Sequence, residues 1–209
     1  MEGGSPGGVD PGPGTQPYPW PWDGRVRPEA LCLLIAGVQR CHAGATPGHA
    51  EVLATLEGLA RSVRNAGGTV CHLRHVSPTG RRGRPRPLLP AAGTPQAEAV
   101  LVPCAGDSVV TCAGHDGFYA SDLDARLWGC GIRQLVVGGL AAEVTVSGTV
   151  RGANDRGYEC LTPVDTFGAL DPTTARGELG SITMSGGIFG AIGTRAWLVE
   201  ALGDAAGGG

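Results

Sequence analysis

The chain has 209 residues, a mass of 21.1 kDa and a hydrophobic content of 42%, enough for one core and too little for two ordinary domains. Its net charge of -3 and pI of about 5.9 supply no basic field for a nucleic acid or an anionic membrane, which leaves a small molecule as the expected partner. All 16 basic residues are arginine, so Schiff-base chemistry, a phosphate-loop lysine and any catalytic set with a lysine member are excluded, because arginine is too basic to replace lysine in them.

Residues 1–28 are dominated by Gly and Pro, a composition expected to give a largely disordered arm. Within it, Tyr18-Pro19-Trp20-Pro21-Trp22 is a stiff aromatic piece expected to pack on the body or on a neighbouring subunit. Residues 29–203 are expected to form the folded domain and 204–209 a flexible tail. Met1 to Pro21 contains no basic start followed by an apolar stretch, and no apolar run reaches the roughly 18 residues of a membrane span. The seven cysteines (Cys32, Cys41, Cys71, Cys104, Cys112, Cys130 and Cys160) show no Cys-x-x-Cys spacing. Together these features give the expectation of reduced thiols in the cytoplasm.

In chain order, Leu31 to Gly37 is a continuous apolar run of strand length, the pattern of a strand covered on both faces. Leu53, Leu56, Leu59, Ala60 and Val63 repeat at helical spacing from Gly48 to Ala66, and Gly67-Gly68 closes that helix. Strands are expected at Thr69 to Leu73 and Ser108 to Thr111, then a helix capped by Ser121 and stopping at Gly129. Ile132 to Val137 reads as a strand ending in a turn at Gly138-Gly139. A helix from Glu143 to Arg156, a strand from Tyr158 to Val164 and a helix from Arg195 to Leu202 complete the pattern. Alternating strands and helices specify an α/β protein, a three-layer α/β/α Rossmann-like domain with a mostly parallel sheet. Ligands of such sheets bind beyond the C-terminal strand ends, here Gly37, Cys112 and the turn after Gly138-Gly139.

Leu140 to Val146, continuing through Thr149 to Leu161, resembles the isochorismatase-like cysteine hydrolases, closest to the biuret and ureidoacrylate amidohydrolase branch. Leu34-Ile35-x-x-Val38-Gln39-Arg40, Gly117-Phe118-Tyr119-Ala120-Ser121-Asp122-Leu123-Asp124 and Met184-Ser185-Gly186-Gly187-Ile188-Phe189-Gly190 carry the same resemblance, in the same order. It implies the isochorismatase-type fold and hydrolysis of an amide or ureide by an aspartate that takes the thiol proton, a lysine that holds both charges and a cysteine that attacks the carbonyl. Backbone N-H groups at the start of the cysteine's helix would receive the oxyanion. Position by position, the aspartate falls on Gly37, the lysine on Cys112 and the cysteine on Thr145, so the resemblance implies that all three are substituted.

Replacement chemistry has four catalytic candidates: Thr145, Cys112, His115 and Glu143. Cys112 would act as a thiolate if His115 lowered its pKa, and the competing reading is an inert small hydrophobe filling the lysine's volume. Thr145 is expected to donate a hydrogen bond to a ligand oxygen, beside an anion site of backbone N-H groups. Glu143 begins a helix, where a carboxylate is also stabilised by the dipole alone. Gly37, Gln39, Cys41, His42, His75, Phe118, Val144 and Thr145 are expected to line the pocket, Asp116 beside His115 is read as an acid or base or as a loop carboxylate in solvent, and the basic loop Arg81-Arg82-Gly83-Arg84-Pro85-Arg86 is read as a lid or a solvated loop. The scattered His42, His72 and His75 have no zinc spacing and no nucleotide motif is present, so no metal and no cofactor is expected.

Two functional classes stay open on the sequence. One is a repurposed enzyme of specialised metabolism that cyclises, isomerises or eliminates a small polar metabolite. The other is a catalytically silent binding or scaffold subunit paired with an active relative. Residual C-N hydrolysis through Cys112 is a third reading. A homodimer or homotetramer is implied by the resemblance.

Overall fold

The computed structural model describes residues 20–78 and 88–207, with side chains through 203. The first strand, β1 (Leu31–Ala36), is apolar throughout and wholly buried. It is followed by the short α1 (Arg40–Ala45), the long α2 (His49–Asn65) and β2 (Thr69–His75). Then come β3 (Ser108–Cys112), α3 (Leu123–Gly129), β4 (Gln134–Leu140), a π-turn over Ala142–Val146, and α4 (Ser147–Asn154). β5 (Glu159–Pro163), β6 (Phe167–Gly168), α5 (Pro172–Gly187), β7 (Ala191–Gly193) and α6 (Arg195–Gly207) complete the chain.

The strands form one parallel sheet in the order β3-β2-β1-β4-β5-β7, with β6 added beside the end of β4. Successive side chains of a strand face opposite ways, so β1 alone serves both layers. Leu31, Leu33 and Ile35 pack with Leu56, Leu59 and Val63 of α2 and with Leu198 and Leu202 of α6. Cys32, Leu34 and Ala36 pack with Leu123 and Leu127 of α3, Val150 and Ala153 of α4 and Ile182 of α5. This is the three-layer α/β/α arrangement, and β1 and β4 meet at its centre, where the strand order reverses. Among the described residues no helix is long and apolar enough to cross a membrane.

Several boundaries differ from the sequence expectation. β4 runs through Gly138-Gly139 to Leu140, so the turn starts after Leu140. Those glycines serve close packing and not a turn, since a Cβ on Gly139 would collide with the Ala36 backbone of β1. β2 continues to His75, two residues past the expected end, because its backbone pairs with β3 through His75↔Cys112. The helix expected from Glu143 divides into the π-turn and α4, and α6 extends to Gly207, five residues past Leu202. α1, β6, α5 and β7 were not signalled. α5 lacks an apolar stripe and breaks at Met184, where three consecutive residues leave helical geometry. At the other end, Trp20 is buried against Trp197 while Trp22 is exposed, and the Gln134 side chain holds the backbone of Arg25 and Arg27. Tyr18 and Arg81–Arg86 lie outside the described residues.

The N-terminal edge of the sheet is tied by one carboxylate. Asp107 accepts two hydrogen bonds from Arg64 at 2.7 and 2.8 Å, one from the Cys104 N-H at 2.8 Å, and lies 3.2 Å from His72 Nε2. Burial alone would raise the Asp107 carboxyl, and the Arg64 guanidinium with the other donors more than offsets this and holds it below its ordinary value. A carboxylate whose folded pKa is depressed stabilises the fold above its unfolded value and loses that contribution as pH falls through the folded one. Asp107→Asn should therefore lower stability by about 2 kcal/mol at neutral pH, with the gap to the parent protein closing below pH 3.8. Urea unfolding of both chains at pH 7 and pH 3 checks this.

Candidate functional site at the strand ends

The C-terminal ends of β1, β2, β3 and β4 converge on one polar cluster. Gly37 follows β1 in the left-handed region, with φ of +65°. A Cβ built there would collide with the Leu140 carbonyl and lie 2.7 Å from Thr145 Oγ1, so glycine is required twice over. Thr145 sits in the π-turn, fully buried, and its hydroxyl donates to the Leu140 carbonyl. Its expected reach to a ligand oxygen is corrected by this bond, because the one hydroxyl proton is already committed. The N-H groups of Val144 and Thr145 both go to the Ala141 carbonyl at 3.1 Å, so the expected anion site of backbone donors is also occupied. Ala141, which immediately precedes the π-turn, thus accepts from both.

Cys112 ends β3 directly opposite His75 of β2, and both are fully buried. The sulfur lies 3.3 Å from His75 Nδ1 and donates toward the Arg74 carbonyl at 3.4 Å. His75 Nδ1 is 2.8 Å from the Gly114 carbonyl, which can only accept, so that nitrogen carries the proton and cannot take one from the thiol. Burial, with the Asp116 carboxyl as a smaller contribution, pushes the Cys112 thiol up to about 12. The imidazole within hydrogen-bond distance of the sulfur is that of His75, in the wrong tautomer to serve as its base. The packed, inert reading of Cys112 is the one this geometry supports.

Gln39, expected among ligand contacts, is bound entirely to backbone. Its amide donates to the carbonyls of His75 and Ala97 at 3.1 Å and accepts from the His75 N-H at 2.8 Å, which locks the end of β1 to the end of β2. Glu143 accepts from the N-H groups of Leu170 and Asp171 at 3.1 and 2.8 Å, clamping the segment that leads into α5. Both of its carboxylate oxygens are thus engaged in holding that loop. Phe118 stacks on Tyr158 at 5.8 Å, with the Arg156 guanidinium 4.7 Å from its ring, and belongs to the buried core. His72 belongs to the Asp107 cluster at the opposite edge.

His42, in the first turn of α1, is fully buried with its ring centroid 6.2 Å from that of His75. Cys41, half-buried, reaches His42 Nδ1 at 3.2 Å. Burial pushes the His42 imidazole down to about 3 and that of His75 to about 4, so both are neutral at physiological pH. Beside them a recess of about 310 Å³ is lined by Pro78, Leu89, Gly114, His115, Asp116 and Tyr119. Burial raises the Asp116 carboxyl, although it accepts the Phe118 N-H at 2.9 Å. Among the described residues no group of His, Cys, Asp and Glu is placed to hold a metal ion.

The loop that carries His115 and Asp116 lies on α4 because Gly148 and Gly152 leave room for it. A Cβ on Gly152 would collide with the Asp116 carboxylate, and one on Gly148 would press on the His115 carbonyl at 3.0 Å. Thr149 between them accepts the Gly117 N-H at 3.1 Å. The sequence reading missed these supports, although two glycines four residues apart in a helix were the available signal.

The isochorismatase domain profile matches residues 31–193. The chain belongs to the isochorismatase family. A streptothricin hydrolase from Streptomyces noursei is 32% identical over 144 residues, which cover 66% of this chain and 50% of that protein. The chain thus spans about half the length of that curated relative. Among solved structures, a cysteine hydrolase from Pseudomonas syringae pv. phaseolicola 1448A superposes with a TM-score of 0.79 at 23% identity, covering 90% of this chain and 97% of the other. An N-carbamoylsarcosine amidase from Thermoplasma acidophilum gives a TM-score of 0.63 at 22% identity, covering 79% and 95%. These two likenesses establish the shared fold.

The crowding at Gly37 makes a direct prediction. Gly37→Asp, which supplies the carboxylate that the family resemblance places there, should destabilise the protein by about 3 kcal/mol or more through left-handed strain and the clash with Leu140 and Thr145. Thermal unfolding of the variant measures this, and a stability equal to the parent's would show that the position accepts a side chain.

Proposed function

We propose that this isochorismatase-family protein is a small-molecule enzyme whose strand-end pocket performs a non-hydrolytic step, a cyclisation, isomerisation or elimination of a small polar metabolite. The observation that carries this reading is the packing at the three positions the resemblance assigns to aspartate, lysine and cysteine. Gly37 has no room for a side chain, Thr145 has its hydroxyl proton bound to Leu140, and the Cys112 thiol is held neutral. A cysteine hydrolase needs a thiolate and a proton acceptor beside it, and neither is presented there. What remains at the strand ends are neutral polar groups, which favour reactions that depend on positioning and on proton transfer more than on a strong nucleophile.

In that setting the backbone does the positioning. Gln39 fixes His75 and α1 against each other, Glu143 fixes the approach to α5, and the α4 glycines seat the loop bearing His115 and Asp116. Asp116, whose carboxyl burial raises, lies on the wall of the recess, with the neutral imidazoles of His42 and His75 behind it. We place this chemistry in the reducing cytoplasm, consistent with seven free cysteines.

A second reading is a silent binding or scaffold subunit, as a homodimer, a homotetramer or a pair with an active relative. It is favoured by Trp22 and Trp128, which are 62% and 64% exposed. Mass spectrometry of the purified chain incubated with amides, ureides and metabolites made by neighbouring genes separates the readings. The expected product keeps the substrate's mass or loses a small neutral fragment, and Cys112→Ala leaves its formation unchanged. A product that gains water, and is lost in Cys112→Ala, would overturn the proposal in favour of hydrolysis. No conversion by the chain alone, with altered turnover when a relative is added, would establish the silent subunit.

A further inference from the structure

Two nitrogens in the strand-end cluster have no assigned purpose. His75 Nδ1 donates to the Gly114 carbonyl, which leaves Nε2 as a bare lone pair, and this atom has no hydrogen-bond partner among the described residues. His42 Nδ1 is engaged with the Cys41 sulfur, and its Nε2 is likewise buried and unpartnered. Both side chains are wholly buried, and their rings lie edge to face at 6.2 Å. An unsatisfied buried polar atom destabilises a fold, so two in adjacent rings mark a place where the fold gives way to another requirement.

The pair lies behind the wall of the neighbouring recess and is not part of its lining. The Gly114 carbonyl that orients His75 belongs to the recess lining, as does His115, whose imidazole is close enough to influence both rings electrostatically. Pro78, three residues after His75, lines the same space. At about 310 Å³ it has room for a small polar molecule. Its wall contributes the Asp116 carboxyl, and the two imidazoles behind it are uncharged, so an anion entering would meet no compensating positive charge from these groups.

We infer that His75 and His42 form a ligand-reading pair that accepts hydrogen bonds from a small neutral molecule bearing N-H or O-H donors once it passes the recess wall at Gly114, with His75 Nε2 the primary acceptor. This rests on the reading of the strand-end pocket as a small-molecule site. The fixed tautomer of His75 is what makes the pair selective. A ligand that presents an acceptor or a negative charge would face a lone pair, while a donor would satisfy it.

The test uses the full-length chain with ¹⁵N-labelled histidine and long-range proton-nitrogen spectra. The His75 Nε2 resonance is expected at the position of an unprotonated imidazole nitrogen. Titration with acetamide or pyrazole is expected to move it saturably, and acetate or phosphate at the same concentrations to leave it in place. In His42→Phe the affinity for the neutral probe should fall about tenfold, the effect of one lost hydrogen bond. If that variant does not fold, the tautomer and the four titrations on the unaltered chain decide the matter. A protonated Nε2, an equal response to the anions, or no response to either neutral probe would overturn the inference. A neutral probe that binds here and is then hydrolysed would instead contradict the non-hydrolytic function and leave the ligand pair standing. Mass-neutral turnover with the His75 resonance unmoved would do the reverse.

Discussion

The close approach of the backbones at the ends of β1 and β4 is the constraint on which the site depends. Gly139 lets the Ala36 carbonyl of β1 come against β4, and Gly37 lets the Leu140 carbonyl and Thr145 come against the residue after β1. Neither contact is possible with a side chain at the glycine. With both in place, the switch point where the sheet reverses its strand order is filled by main chain and by one threonine. The recess of about 310 Å³ lies beyond the ends of β2 and β3, lined by Pro78, Leu89, Gly114, His115, Asp116 and Tyr119.

The polar groups divide along the same line. Near β1 and β4 the hydrogen bonds are closed: the Thr145 hydroxyl to Leu140, the N-H groups of Val144 and Thr145 to Ala141, and the Gln39 amide to His75 and Ala97. Near β2 and β3 they are open, at His42 and His75. Burial acts in one direction throughout, against charge. It raises the Cys112 thiol and the Asp116 carboxyl and lowers the two imidazoles, so the thiol and both rings are neutral groups in place of the charged thiolate that cysteine hydrolysis requires.

Much of the architecture was legible from periodicity. β1 announced itself as an uninterrupted apolar run because it is covered on both faces, and α2 through Leu56, Leu59, Ala60 and Val63 at helical spacing. Local signals failed where tertiary contacts decide. Gly138-Gly139 reads as a turn in isolation, and only the partner strand shows that these glycines are a packing device. The polar residues Arg74 and His75 suggested a strand already ended, and that two-residue error hid the pairing of His75 with Cys112. α5 offered no amphipathic stripe, and β6 and β7 are too short to register. For the site, the sequence located the strand-end positions Gly37, Cys112 and Thr145, yet it could not give the hydrogen-bond direction of Thr145, the tautomer of His75 or the clamp made by Glu143, each of which depends on a backbone carbonyl or N-H distant in the chain.

The central claim is that the strand-end sulfur is a packed, neutral group and no nucleophile. The most direct measurement is the rate of alkylation of each cysteine by iodoacetamide in the native protein near neutral pH, read by peptide mass spectrometry, with the exposed Cys104 and Cys130 as internal references. The account predicts that Cys112 stays unmodified until the protein is unfolded, while the two exposed thiols react. Alkylation of Cys112 in the folded chain faster than at Cys104 and Cys130 would show an activated thiolate and contradict it.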